Sequence, residues 1–83
     1  MSQSQDALSN FSPEQCRAAR AILKMTYLDT CQAADLSQVT LSKFEAGGEV
    51  RASVVERLRA AFEARGITFA PDGLGLTWQR PAG

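Results

Sequence analysis

The spacing of apolar residues along this chain changes once, at Gly66. Before it, apolar positions recur every three or four residues. After it, they recur every second residue. Cys16, Ala19, Ile22 and Leu23 follow the helical period and predict a first helix reaching about Met25. Phe11-Ser12-Pro13-Glu14-Gln15 reads as its start. Ser12 suits the N-cap, Pro13 the first helical position and Gln15 the reciprocal capping position, with Phe11 and Cys16 as a hydrophobic staple. Thr26, with Asp29 three residues on, predicts the cap of a second helix over about Tyr27 to Ala34. Cys31, Ala33 and Ala34 are small enough for close helix packing. Asp35 falls where the chain must turn sharply, and Leu36 is expected to plug the core there. Ser37 predicts the cap of a third helix, Gln38 to Ala46, with Leu41 and Phe44 inward and Gly47 as its stop. Ser53-Val54-Val55-Glu56 reads as a further capping box opening a fourth helix. Val54, Val55, Leu58, Ala61 and Phe62 form its apolar stripe, Arg57, Arg59, Glu63 and Arg65 are expected in solvent, and Gly66 ends it.

Beyond Gly66, Ile67 and Phe69 point to one side and Thr68 and Ala70 to the other. Pro71-Asp72-Gly73 is turn chemistry, after which Leu74, Leu76 and Trp78 alternate with Gly75, Thr77 and Gln79. This predicts a β-hairpin with one apolar face. A lone hairpin is barely stable in water, so it must pack on the helices, on a second subunit, or on both. Residues 1–10 are polar and aperiodic, and read as a flexible tail.

Composition narrows the picture. Eighty-three residues make one small domain, whose core is marginal alone and often gains stability by dimerising. The chain starts without a signal-peptide pattern and contains no apolar run of membrane-spanning length, so the expected compartment is the cytoplasm, with no membrane partner. Nine basic and nine acidic residues give zero net charge, which works against a nucleic-acid reading unless the charges are unevenly placed. Arg17, Arg20, Lys24, Lys43 and Arg51 do fall in or beside the first three helices. With no His and two widely spaced cysteines, no metal or other cofactor is expected, and Cys16 and Cys31 read as small buried hydrophobes. No nucleophile is paired with a base and no glycine loop suits a phosphate, so the chain is not expected to be an enzyme. Glu45 and Glu49 read as structural or exposed charges.

The run Lys24 to Gly47 suits a helix-turn-helix. A helix entering the major groove of DNA must be held at a fixed angle by the helix before it. Ala34, Asp35, Leu36, Leu41 and Phe44 supply the small contact, the turn, the plug and the inward residues. Gln38, Val39, Ser42 and Lys43 then face outward as candidate base contacts. Gln38 suits adenine, Val39 a thymine methyl, and Lys43 a guanine or a phosphate. Thr26 and Tyr27, at a helix start, and Thr40 and Arg51 are candidate phosphate contacts.

On these residues the stretch from Phe11 to Trp78 resembles the single-domain regulators of the XRE family, which share the fold of phage repressors of the lambda and Cro type. The resemblance is carried by SPEQCRAARAIL, ADLSQVTLSKFEAG and SVVERLRAAFEARG. Its most specific cluster is Ser37, Leu41, Ser42, Phe44, Glu45 and Gly47. The segment GITFAPDGLGLTW resembles the β extension that follows this domain in many small bacterial members. The resemblance implies a mainly α fold: a four- to five-helix lambda-repressor-like helix-turn-helix domain, 11–66, with a C-terminal β-hairpin segment, 67–83. It implies base reading by Gln38, Val39 and Lys43, a phosphate-binding helix start at Tyr27, loop contacts at Gly47, Gly48 and Arg51, and a structural Glu45. The family usually carries Gln at Tyr27, Leu at Thr30 and Gly at Asp35.

The expected function is sequence-specific binding of double-stranded DNA by a homodimeric transcription regulator on a palindromic site. The alternative is a protein-binding module of the same fold, such as an antitoxin or an RNA polymerase-interacting factor. Ile67, Phe69, Leu74, Leu76 and Trp78 exceed the apolar surface a small domain leaves exposed, and are expected to form the dimer interface. Deleting the residues after Gly66 is expected to give a monomer.

Overall fold

The computed structural model describes residues 11–80; the tail at 1–10 and the last three residues of the hairpin segment lie outside them. Within that span the chain folds into four helices and a short two-stranded hairpin. The helices are α1 (Pro13–Leu23), α2 (Tyr27–Ala34), α3 (Gln38–Glu45) and α4 (Ala52–Glu63). The strands are β1 (Ile67–Phe69) and β2 (Leu76–Trp78), antiparallel, with Ile67 opposite Trp78 and Phe69 opposite Leu76. Among the described residues, no helix is long and apolar enough to cross a membrane.

The helix starts follow the capping chemistry. Ser12 and Gln15 form a reciprocal box at α1, and Thr26 and Asp29 form another at α2. The Ser37 side chain accepts from the Thr40 N–H at α3. Each cap satisfies an N–H that the first helical turn leaves unpaired. The fourth helix departs from expectation. It starts at Ala52 with Arg51 as an N-cap that makes no side-chain bond, so Ser53 lies inside the first turn and caps nothing. Here burial decides the start: Val54, Leu58, Ala61 and Phe62 turn inward together. The α2–α3 turn is tight because Asp35 takes a left-handed conformation, φ 58°, and its N–H bonds the Cys31 carbonyl.

All four phenylalanines meet in the core. Phe11 stacks on Phe44 at 5.6 Å between ring centroids and meets Phe69 edge-on at 4.6 Å. Phe62 also packs edge-on against Phe69. One cluster therefore joins the segment before α1, α3, α4 and β1. Ile67 and Phe69 are 2% and 6% exposed, so these two expected interface residues are core residues of the chain itself. Deleting the hairpin after Gly66 therefore also removes two residues of the core. Leu76 and Trp78 are half-buried against that core, and of the five only Leu74, 77% exposed, faces solvent openly.

The hairpin is also held by polar contacts. Gln15 is fully buried, and its Nε2 donates to the carbonyls of Ala70 at 3.1 Å and Gly75 at 2.7 Å. Its Oε1 accepts from the Ser12 N–H, and the Ser12 hydroxyl donates to the Gly73 carbonyl. Trp78 Nε1 donates to the Arg65 carbonyl at 3.1 Å. Gly66 sits at φ 98° where a Cβ would strike the Gln79 carbonyl, so glycine is required where α4 gives way to the strand.

Candidate nucleic-acid interface

Helix α3 has a sharp division of faces. Leu41 and Phe44 are buried, while Gln38, Val39, Ser42 and Lys43 are all exposed. Val39 keeps 78% of its surface in water, unusual for an apolar side chain. Thus the four expected base contacts do share one outward surface. Val39, Thr40 and Lys43 also line an open groove of about 500 Å³ with Glu49, Val50, Arg51 and Val54. That groove brings Thr40 and Arg51 beside the outward face, with Lys43 and Arg51 as its cations and Glu49 as its anion.

The inward side of α3 is tied to α1 by charge. Glu45 accepts from Arg20 Nε at 2.8 Å and Arg20 Nη2 at 2.9 Å, a bidentate pair. The Glu45 side chain is only 8% exposed, so the pair is screened far less than a surface bridge. Cys16 donates its thiol to the same carboxylate, and Arg17 donates to the Glu45 carbonyl at 2.6 Å. Burial pushes the Cys16 thiol well above its usual range, and the neighbouring Glu45 adds to the shift. Of the residues counted by position among a possible basic face, Arg20 therefore spends its guanidinium on the Glu45 carboxylate, while Arg17 gives one N–H to the Glu45 carbonyl and stays exposed beside Glu14.

The same Arg20 lies 5.0 Å from the centroid of the Tyr27 ring. The Tyr27 hydroxyl in turn reaches Ser42 Oγ at 3.1 Å. A continuous chain of contacts thus runs from buried Glu45 through Arg20 and Tyr27 to Ser42 on the outward face.

Other expected phosphate contacts are engaged within the protein. The Thr26 N–H donates to the Asp29 carboxylate and is spent on the cap, while the Thr26 hydroxyl accepts from the Asp29 N–H and uses one of its lone pairs there. Those bonds hold the Asp29 carboxyl below the usual carboxylate range. Gly47 N–H donates to the Phe44 carbonyl and Gly48 N–H to the Lys43 carbonyl. With Gly47 at φ 90°, this is a Schellman closure of α3, so both amides are used by the helix they end. Gly48 serves packing as well: a Cβ there would lie 2.9 Å from Lys43 Cγ. The Thr40 hydroxyl is bonded to Ser37 Oγ.

Thr30 and Asp35 are each accommodated locally. Thr30 is fully buried, and its hydroxyl donates to the Thr26 carbonyl at 2.9 Å. Asp35 accepts the left-handed turn, and Arg57 braces it by donating to the carbonyls of Ala34 at 3.2 Å and Asp35 at 3.3 Å. Arg57 is exposed, as expected, and it also braces the α2–α3 turn from α4. Nothing local in the sequence marks this role, because it joins residues more than twenty positions apart.

The chain matches none of the family models, curated proteins or solved structures with which it was compared.

Proposed function

We propose that the protein is a sequence-specific binder of double-stranded DNA that regulates transcription, with α2 and α3 as a lambda-repressor-like helix-turn-helix of the XRE type. One observation carries the reading. The outward face of α3 gathers Gln38, Val39, Ser42 and Lys43, while Leu41, Phe44 and Glu45 anchor the opposite face. An α-helix fits the major groove, and a side-chain amide, a methyl-bearing residue, a hydroxyl and a cation are suited to reading base edges there. Backbone phosphates are then met by Arg51, by Lys43 and by the N–H groups at the start of α2, Tyr27 included. Two copies on a palindromic site are proposed, with contacts from the hairpin surface that remains at Leu74, Leu76 and Trp78.

Selection from a randomised duplex pool tests this reading. The wild type is expected to enrich a palindromic motif, and its affinity to fall steeply with salt. A Gln38→Ala/Lys43→Ala double variant that binds the enriched duplex as tightly as wild type removes the reading helix from the assignment.

A second reading, a protein-binding module, is favoured by Leu74, which stands exposed beside half-buried Leu76 and Trp78, together with zero net charge. A protein that enriches no duplex sequence but co-purifies with a defined partner would support it, and Leu74→Lys should then abolish the complex.

A further inference from the structure

From the contact between Tyr27 and Ser42 we infer that Tyr27 is a positioning residue for base choice: it biases Ser42 toward donating a hydrogen bond to DNA. The inference rests on the DNA-binding reading and deepens it. The two oxygens lie 3.1 Å apart, Tyr27 at the start of α2 and Ser42 on the outward face of α3. Of two hydroxyls in contact, the phenol is far more acidic than the aliphatic alcohol, so it donates and the serine oxygen accepts. Arg20 holds the ring in that position. Its guanidinium lies 5.0 Å from the centroid of the Tyr27 ring. Arg20 is itself fixed by its bidentate pair with Glu45, so the cation cannot drift from the ring.

The consequence follows from counting sites on one oxygen. A serine hydroxyl has one proton and two lone pairs. Tyr27 occupies one lone pair, which turns the Ser42 proton away from Tyr27 toward the exposed side. Among the described residues the Ser42 hydroxyl donates to no other group. Alone, a serine reads bases ambiguously, because it donates or accepts with equal ease. With one lone pair taken by Tyr27, the proton and a single lone pair remain, so the balance shifts toward donation to an acceptor. In the major groove the acceptors are purine N7, guanine O6 and thymine O4, while cytosine presents an N4 donor. Ser42 therefore favours guanine, or another base presenting N7 or a keto oxygen, and disfavours cytosine on the strand it faces.

This assignment also separates two roles for Tyr27. A tyrosine bracing a phosphate raises affinity for every sequence alike. A tyrosine orienting Ser42 changes choice at one base pair.

The test uses the duplex enriched by the wild type and its single-base-pair variants, measured by fluorescence anisotropy with wild type, Tyr27→Phe, Ser42→Ala and the double variant. Phenylalanine keeps the ring under Arg20 and removes only the hydroxyl; thermal melts establish that each variant is folded. At one position the wild type is expected to prefer the acceptor base over cytosine by about fivefold, the worth of one net hydrogen bond. Tyr27→Phe and Ser42→Ala should each bring that ratio close to one, leave other positions unchanged, and show no further loss when combined. The inference is overturned if Tyr27→Phe keeps the preference that Ser42→Ala loses, if it weakens all duplexes equally, or if no position responds to Ser42→Ala. Failure of the wild type to enrich any sequence is a different result, and it overturns the DNA-binding reading together with the inference.

Discussion

Glu45 and Gln15 both gather several donors or acceptors at buried positions, yet they hold different parts of the molecule by different physics. Glu45 is a charge met by a charge: Arg20 grips its carboxylate, Cys16 adds a thiol, and the result joins α1 to α3. Gln15 is a neutral amide that joins α1 to the hairpin through Ser12, Ala70 and Gly75. The first network continues outward through Tyr27 to the exposed face of α3. The second ends at the hairpin turn. A defect at Glu45 should therefore reach both stability and DNA binding, whereas a defect at Gln15 should reach stability alone.

The largest expected effect is that of Arg20→Ala. It leaves the Glu45 carboxylate buried without its cation and should cost about 3 kcal/mol, the low end for a buried pair because Arg20 is itself partly exposed. Urea denaturation checks the stability, and operator titration of the folded fraction should show weakened binding. Next is Gln15→Ala, which leaves the Ser12 N–H without its acceptor and takes one of two donors from each of the Ala70 and Gly75 carbonyls, and should cost about 2 kcal/mol. Its folded fraction should bind DNA as wild type does. Equal binding losses in the two variants would erase the distinction between the networks.

A smaller effect tests the neighbour of Glu45. Because the folded Cys16 thiol titrates above its unfolded value of 9.0, its contribution is complete below that value. As the unfolded thiol ionises at higher pH, stability should fall by about 1.4 kcal/mol per pH unit. Denaturation midpoints across the alkaline range should show this slope, and Cys16→Ala should reduce it to the part left by Cys31, whose thiol burial also raises. Smaller again is Lys24→Gly. Lys24 holds a left-handed conformation at the end of α1, φ 58°, and glycine there should stabilise the fold by about 1 kcal/mol in thermal melts. The least effect is at the α2 cap, where hydrogen bonds lower the Asp29 carboxyl. Its stabilisation is present above the unfolded value of 3.8 and is lost as pH falls through the lower folded value. Asp29→Asn should remove that acid-dependent part of the melting curve.

These networks also mark what the sequence made legible. Caps and helical periods are local, so α1, α2 and α3 could be placed from residues such as Ser12, Thr26 and Ser37, and the hairpin from its change of period. The α4 start was misplaced because Ser53 and Glu56 mimic a capping box while burial of Val54 and Leu58 sets the helix two residues earlier. Ile67 and Phe69 looked like surplus apolar surface because the alternation of a strand does not say which body covers it. Long-range partners were hidden: Gln15 was visible as a cap but not as the hairpin's anchor, and Arg57 was rightly placed in solvent without its bonds to the α2–α3 turn. At the candidate site, the outward set Gln38, Val39, Ser42 and Lys43 was legible from helical spacing alone. The Tyr27–Ser42 contact was not, since it depends on the angle between α2 and α3.

The central claim is that the outward face of α3 meets DNA. The most direct measurement is a titration of isotopically labelled protein with the enriched duplex, followed by amide chemical shifts. The account predicts the largest shifts at Gln38, Val39, Ser42 and Lys43, with smaller ones at Tyr27 and Arg51 and little change around Gln15 and the hairpin turn. Shifts confined to the hairpin around Leu74, or no shifts with any duplex, would contradict it.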